Sequence, residues 1–345
     1  MLKKEIYLCI KLLMQRFYFK EIILRTKYKL ITVNKRTIKQ IEIPDLNKTR
    51  LQLQLTNICN ANCSFCAYGK LGKRYQGIMP VDIFEKAVGQ FLNAGGKDFG
   101  LNSTVGDPLV DKDAVRKIKY LRNNSPDGHM YFFTNLLFLD KFDIDEFLLS
   151  GLNLLNISTT AFDREIYLRL YGSNHYERFY KNITTLLKRN KELNNPVKIS
   201  MFIKLDIPSW EAFSLKDFVQ LVPYLENVSI DATHKFDTWN GIVKKEHLSG
   251  NMRFNKPLII NYPCHRIVHP SIDINGNVIV CSCRIPRTDI RNPLVIGNIN
   301  EKPLDQIWKG KEHLQLFNSF FKKESAPEIC KDCSFYTPYI TKKYN

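Results

Sequence analysis

Cys59, Cys63 and Cys66 stand in the stretch Leu51–Gly69, LQLQLTNICNANCSFCAYG, with the spacing Cys-x3-Cys-x2-Cys. Thiolates are soft ligands, and three of them on one short loop can hold three irons of a [4Fe–4S] cube. No fourth cysteine lies nearby, so one iron would stay open to a non-protein ligand. Positions i, i+4 and i+7 also share one face of a helix, on which cysteine is an ordinary buried residue. A zinc knuckle is a third reading, although its cysteines usually come as close Cys-x2-Cys pairs. Asn57, Asn60, Asn62 and Ser64 fill the gaps and favour turns over helix interiors. Leu51–Thr56 before them alternates leucine and glutamine at the period of a strand, which places the cysteines on a strand-to-helix loop.

With Phe65 as the aromatic, the pattern Cys-x3-Cys-x-aromatic-Cys resembles the signature of the radical S-adenosylmethionine (SAM) superfamily. The resemblance implies that the open iron takes the amino and carboxylate groups of SAM, and that Phe65 lies beside the adenine. Electron transfer would then cleave the sulfonium, giving a 5′-deoxyadenosyl radical that abstracts hydrogen from an unactivated C–H bond. Val105-Gly106-Asp107-Pro108 looks like the family's Gly-Gly-Glu-Pro segment, so Gly106 and Asp107 would meet the SAM amino group. Val105 and Asp107 depart from the family pattern there. Ser158 resembles the strand-four serine that bonds the SAM ribose or carboxylate, although Thr160-Ala161 stands where the family usually shows Asp-Gly. Arg169 lies in a stretch similar to one that supplies an arginine to the SAM carboxylate; on its residues alone it reads equally as a solvated helix charge. His234–Gly241, HKFDTWNG, is similar to segments that follow strand six in cluster-extended relatives, and its His, Asp and Trp could line a polar pocket.

A second cysteine group follows residue 245. Ile272–Cys281 reads IDINGNVIVC, whose Asn-Gly between apolar alternations is a hairpin signal. Cys264, Gly276 and Cys281 fit the opening pattern of the family's SPASM/twitch extension, and Cys330-x2-Cys333 closes the group. No cysteine follows Cys333, so the resemblance favours the shorter twitch form with one auxiliary [4Fe–4S] cluster on Cys264, Cys281, Cys330 and Cys333. Structural zinc would suit the same four thiolates. Cys283 is left over as a spare thiol, an alternative ligand to Cys281, or a hydrogen-atom donor. Cys9, alone near the start, reads as a packed apolar residue.

Positioning these groups requires alternating strands and helices. Strands are expected over Leu51–Thr56, Asp98–Asn102, Met130–Thr134, Leu152–Ser158, Val197–Lys204 and Asn227–Asp231. Helices are expected over Val81–Asn93, Asp111–Asn123, Ile144–Leu149, Tyr176–Lys191, Trp210–Tyr224 and Leu304–Phe321. Six βα units imply a parallel, buried sheet with functional groups at its C-terminal strand ends. The expected fold is α/β: a basic extension over 1–48, a partial (βα)6 barrel over 49–245, and a twitch/SPASM-like hairpin-plus-helix module over 246–345.

The chain carries a net charge of +17, and residues 1–40 hold eleven Lys or Arg against Glu5 and Glu21. The charges there do not segregate to one helical face, which favours a packed extension over peripheral membrane contact. No nucleic-acid module accompanies the charge, so none is expected as partner. Lys11 interrupts the first apolar run too early for a secretory signal, and no run is long enough to span a membrane. Six of nine cysteines in two tight groups point to metal binding in a reducing, cytoplasmic compartment. The expected activity is that of a radical SAM oxidoreductase acting on a sugar or aminocyclitol alcohol. Epimerisation with Cys283 as donor and peptide modification are the alternatives. A basic surface suits a phosphorylated or nucleotide-linked sugar, and a donor such as flavodoxin or ferredoxin would supply electrons.

Overall fold

The computed structural model describes residues 42–71, 76–255, 262–286, 292–321 and 325–339. The basic extension up to residue 41, with Cys9, lies outside the described residues. One nine-stranded sheet runs through the molecule in the order β11 (Val295–Asn298), β10 (Asn277–Ile279), β9 (Ser271–Ile272), then the first six strands in chain order, while β7 (Lys235–Phe236) and β8 (Arg253–Phe254) pair separately. Strands β1 (Arg50–Leu53), β2 (Asp98–Leu101), β3 (Met130–Thr134), β4 (Leu154–Thr160), β5 (Lys198–Lys204) and β6 (Val228–Thr233) are all parallel. This is the open α/β barrel expected from the βα alternation.

Residue alternation gives each strand two faces. In register, Leu101, Phe132, Leu155 and Ile199 stand side by side on one, and Thr134, Ile157 and Met201 on the next turn of the pleat. These rows meet the outer helices. In α1 (Val81–Asn93), Phe84, Ala87, Val88 and Phe91 recur at helical spacing and are buried, with Phe91 edge-on to Phe99 of β2. The opposite face is far more polar: Phe133, Asn156, Ser200 and Ser229 form one row, Ser158, Phe202 and Asp231 the next, and Thr160, Lys204 and Thr233 the last. A polar inner face is what a barrel needs if it encloses a ligand rather than a packed core.

The C-terminal module continues the same sheet. β9 (Ser271–Ile272) pairs parallel with β1, and β10 (Asn277–Ile279) folds back antiparallel on it. Asp273 accepts the Asn275 and Asn277 backbone N–H groups, and Gly276 takes a φ of +81°, so the Asn-Gly hairpin forms as read. β11 (Val295–Asn298) closes the edge, and Trp308 donates from Nε1 to the Pro44 carbonyl at 2.8 Å, tying the module to the chain entering the barrel. Two expected helices are broken. Trp210–Tyr224 is divided at Leu215 into Ser209–Ala212 and Lys216–Leu221, and Leu304–Phe321 is divided near Gly310 into Leu304–Trp308 and Lys311–Ser319. Among the described residues no helix is long and apolar enough to cross a membrane.

Candidate active site

The three-cysteine loop leaves the C-terminal end of β1 and is held from both sides. Thr56 donates to the Gly77 carbonyl at 2.7 Å and accepts the Ile58 N–H, while Asn57 accepts the Gly77 N–H. Further on, the Asn62 and Ser64 N–H groups donate to Tyr171 and Leu170 at the end of the helix Arg164–Tyr171. That helix is bounded by Asp163, whose carboxylate accepts the Glu165 and Ile166 N–H groups, and by Gly172 at φ +59°. A Cβ at Gly172 would stand 2.5 Å from the Asn62 carbonyl oxygen, so only glycine lets the two segments meet.

Lys70 clamps the loop by donating to the Cys63 and Cys66 carbonyls, each at 3.2 Å. Burial pulls its ammonium below the usual lysine range, opposed by the two thiols. All three thiols are free, and burial pushes each above its ordinary value, Cys59 to about 12. The Cys63 thiol is close enough to Cys59 and Cys66 to be raised further by both. Such thiols stay protonated until a metal takes the proton's place. Buried polar atoms without partners ring the same mouth: Asn60 Nδ2, Ser103 Oγ, Thr160 Oγ1 and Asp206 Oδ1. Unpaired buried donors and acceptors fit a bound polar cofactor.

Gly106 takes a φ of +115°, and a Cβ there would meet the Thr56 and Ile58 carbonyls at 2.9 Å, so the segment after β2 lies directly against the cysteine loop. Asp107 does not project from it. Its carboxylate is buried, accepting the Leu109 and Asn135 N–H groups at 3.0 and 2.6 Å and the Thr134 hydroxyl at 2.9 Å. Burial nevertheless pushes its pKa up to about 6. Ser158 meets the Tyr171 hydroxyl at 3.2 Å. Arg169 donates from Nε to Asp206 at 2.8 Å, a partner the sequence reading did not supply. The Phe65 ring packs 5.1 Å from Phe236 and 5.9 Å from Tyr171.

The HKFDTWNG segment divides its labour differently from a pocket lining. His234 bonds the Ile207 carbonyl, and Asp237 is buried. Trp239, at φ +51°, donates from Nε1 to the Phe65 carbonyl at 3.1 Å. Asp237 pairs with Arg284 and accepts both the N–H and the hydroxyl of Ser334. Arg284 also pairs with Asp332, and donates to the Ile329 carbonyl at 2.7 Å. This network binds the strand-six loop to the module within two residues of Cys330, Cys333 and Cys283. Cys264, Cys281, Cys330 and Cys333 are buried and free. Cys283 sits with them: a hydrogen bond from Cys281, aided by Arg266 and Arg284, lowers its thiol to about 6. Among the described residues no three side chains are arranged to hold a single metal ion.

A cavity of about 340 Å³ has Asn57, Tyr68, Thr104 and Val105 on one wall and Cys281 and Arg284 on the other; Cys59, Cys63 and Cys66 do not line it. Sequence reasoning missed Lys70, Lys204 and Arg284. Period-two alternation along β5 places Lys204 with Ser200 and Phe202 on the inner face, which was the signal for it. Its ammonium lies 5.6 Å from the Phe202 ring, and burial, opposed by Asp231, brings it down to about 8.

The profile of the radical SAM superfamily matches residues 53–204, and that of the SPASM iron–sulfur cluster-binding domain matches 264–334. The chain belongs to the radical SAM superfamily. Among curated relatives of this radical SAM enzyme, the GTP 3′,8-cyclase of Vibrio vulnificus strain YJ016 is 23% identical over 239 residues, covering 66% of this chain and 69% of that protein. The probable GTP 3′,8-cyclase of Pyrococcus abyssi strain GE5 / Orsay is 30% identical over 172 residues, 49% and 52% of the two chains. Among solved structures, BtrN in complex with AdoMet and 2-DOIA superposes with a TM-score of 0.56 at 14% identity, covering 86% of this chain and 96% of that one. SuiB of Streptococcus suis, bound to precursor peptide SuiA, gives 0.53 at 15% identity over 86% and 77%. At these identities the structures bear on the fold alone.

Proposed function

We propose that this radical SAM enzyme oxidises an alcohol carbon of a small polar substrate, a sugar or aminocyclitol. The observation that carries the reading is the cavity lined by Asn57 and Tyr68, which flank the three-cysteine loop, and by Cys281 of the second group, since an oxidation needs a radical source on one side of the substrate and an electron acceptor on the other. In this reading Cys59, Cys63 and Cys66 hold a [4Fe–4S] cluster that binds SAM, and Cys264, Cys281, Cys330 and Cys333 hold an auxiliary one. When bound, these groups supply a 5′-deoxyadenosyl radical, after reduction by a flavodoxin- or ferredoxin-like donor, and a sink for one electron. The alcohol then loses a hydrogen atom, an electron and a proton, and becomes a ketone.

The chain's own residues orient and enclose. Phe65 walls the cofactor side, Gly106 and Ser158 stand on the strand ends that face it, and Asp107 fixes the turn between them. Arg169, held by Asp206, offers its remaining guanidinium donors towards the SAM carboxylate. Lys204, brought down to about 8, stands on the inner barrel face beside Asp231 and outside the cavity lining. A cavity of this volume suits a small molecule better than a peptide. Epimerisation would need Cys283 at the substrate, whereas its thiol bonds Cys281, and Cys281 lines the cavity. The curated relatives' names keep a nucleotide as a second substrate class.

Incubation of reconstituted enzyme with SAM, reductant and a panel of sugars and aminocyclitols should yield a ketone and one deoxyadenosine per turnover. Cys281→Ala should keep forming deoxyadenosine while ketone yield falls at least tenfold. A parent product at the oxidation level of its substrate would overturn the dehydrogenase reading.

A further inference from the structure

A second cavity, of about 70 Å³, lies where β1 and β3 pass under the module, lined by Arg50, Gln52, Tyr131, His265, Arg266, His269 and Ser282. At roughly 10–15 Å³ per water-sized probe it has room for one tetrahedral oxyanion. Its walls are basic: Arg266 faces the Cys283 thiol, which holds its guanidinium charged, whereas Arg50 has no acidic partner among the described residues. Arg50 lays its guanidinium 4.8 Å above the Tyr131 ring and leaves Nε buried with no partner. Among the described residues neither Arg50 nor Arg266 pairs with a carboxylate, and the Cys283 thiol is the main anionic influence on Arg266. The nearest acid in register with Arg50 is Asp98, whose Oδ1 accepts the His129 N–H instead. His269 accepts the Arg50 backbone N–H at Nδ1, so as a neutral ring it carries its proton on Nε2. Burial first, then His265, Arg50 and Arg266, press His269 down to about 3, so it stands as a neutral ring.

We propose that this basic cavity is a binding site for a phosphate-class oxyanion, either the phosphate of a phosphorylated substrate or inorganic phosphate. Two guanidinium groups, imidazole N–H groups and the Ser282 hydroxyl supply the donor set such an anion requires. A polar ladder leads from the cavity along the inner sheet face: Asn102 donates to Gln52 at 2.9 Å, and Gln52 in turn donates to the Tyr131 hydroxyl. A sugar phosphate anchored here would reach the larger cavity by displacing the Gln52–Tyr131 contact, so the proposal deepens the sugar reading above and rests on it for that arm.

Calorimetric titration of the reconstituted full chain with inorganic phosphate and with a hexose 1-phosphate tests it without requiring turnover. Wild type should bind inorganic phosphate, Arg50→Gln and Arg266→Gln should bind it at least tenfold more weakly, and Arg50→Lys should recover part of the loss. Arg178→Gln, an exposed arginine paired with Asp140, should change nothing. Displacement of phosphate by the hexose phosphate supports the substrate source; phosphate binding without displacement supports the free anion and leaves the sugar reading to its own assay. Absence of phosphate binding by wild type, or equal binding by the glutamine variants, overturns the proposal.

Discussion

Asp107 shows how far residue type leads and where it stops. Its place beside Gly106 is legible from the turn residues, but the direction of the carboxylate depends on Thr134 and Asn135, whose arrival is fixed only by strand pairing. Burial raises its pKa from 3.8 to about 6, so the folded chain holds this proton more tightly than the unfolded chain. The stabilising contribution is therefore full below about pH 4 and lost as pH rises through 6. Between pH 7 and pH 5 the group should add about 1 kcal/mol to stability. Urea midpoints of the parent and of Asp107→Asn, compared at both pH values, read this directly. The parent should gain on the variant by about that amount at pH 5, and an unchanged or shrinking gap would show that the carboxyl is not raised.

At the scale of elements, β3 was legible to the residue as a short continuous apolar run, and the helix Tyr176–Glu192 to within one by its period-3.6 apolar pattern. The helix Arg164–Tyr171 was not read as one, though Asp163 and Gly172 are its start and stop signals. The parallel pairing of β9 with β1 was beyond reach, since it joins residues more than two hundred apart. The same is true of Arg284, whose partners Asp237 and Asp332 come from two other segments. Removing one member of a buried ion network leaves uncompensated charge, at roughly 3–5 kcal/mol. Arg284→Met should lower unfolding stability by that order. Adding Asp237→Asn should return part of the loss, because the orphaned carboxylate is then gone. A loss under about 1 kcal/mol, or a double variant weaker than the single by the full sum, would show that the network does not join barrel and module.

The whole molecule places two thiol groups on one continuous sheet, the first after β1 and the second around β9 and β10, which β1 itself borders. Neither group shares a cysteine with the other, so each should load on its own. With cubane clusters at both, the parent should carry about eight irons and eight sulfides per chain, and the Cys59/Cys63/Cys66 triple-alanine variant about four. The variant should stay folded, because its lost thiols sit on a loop fastened by Lys70, Asn62 and Ser64 rather than in the sheet. Sulfur-only donors at Cys264, Cys281, Cys330 and Cys333 suit zinc in type, but they would have to draw together to hold one ion. A parent with about four irons plus one zinc, and a variant with zinc alone, would make the module structural. The larger cavity would then face a radical source without an electron acceptor, and a redox-neutral rearrangement of the substrate would replace oxidation as the chemistry this fold supports.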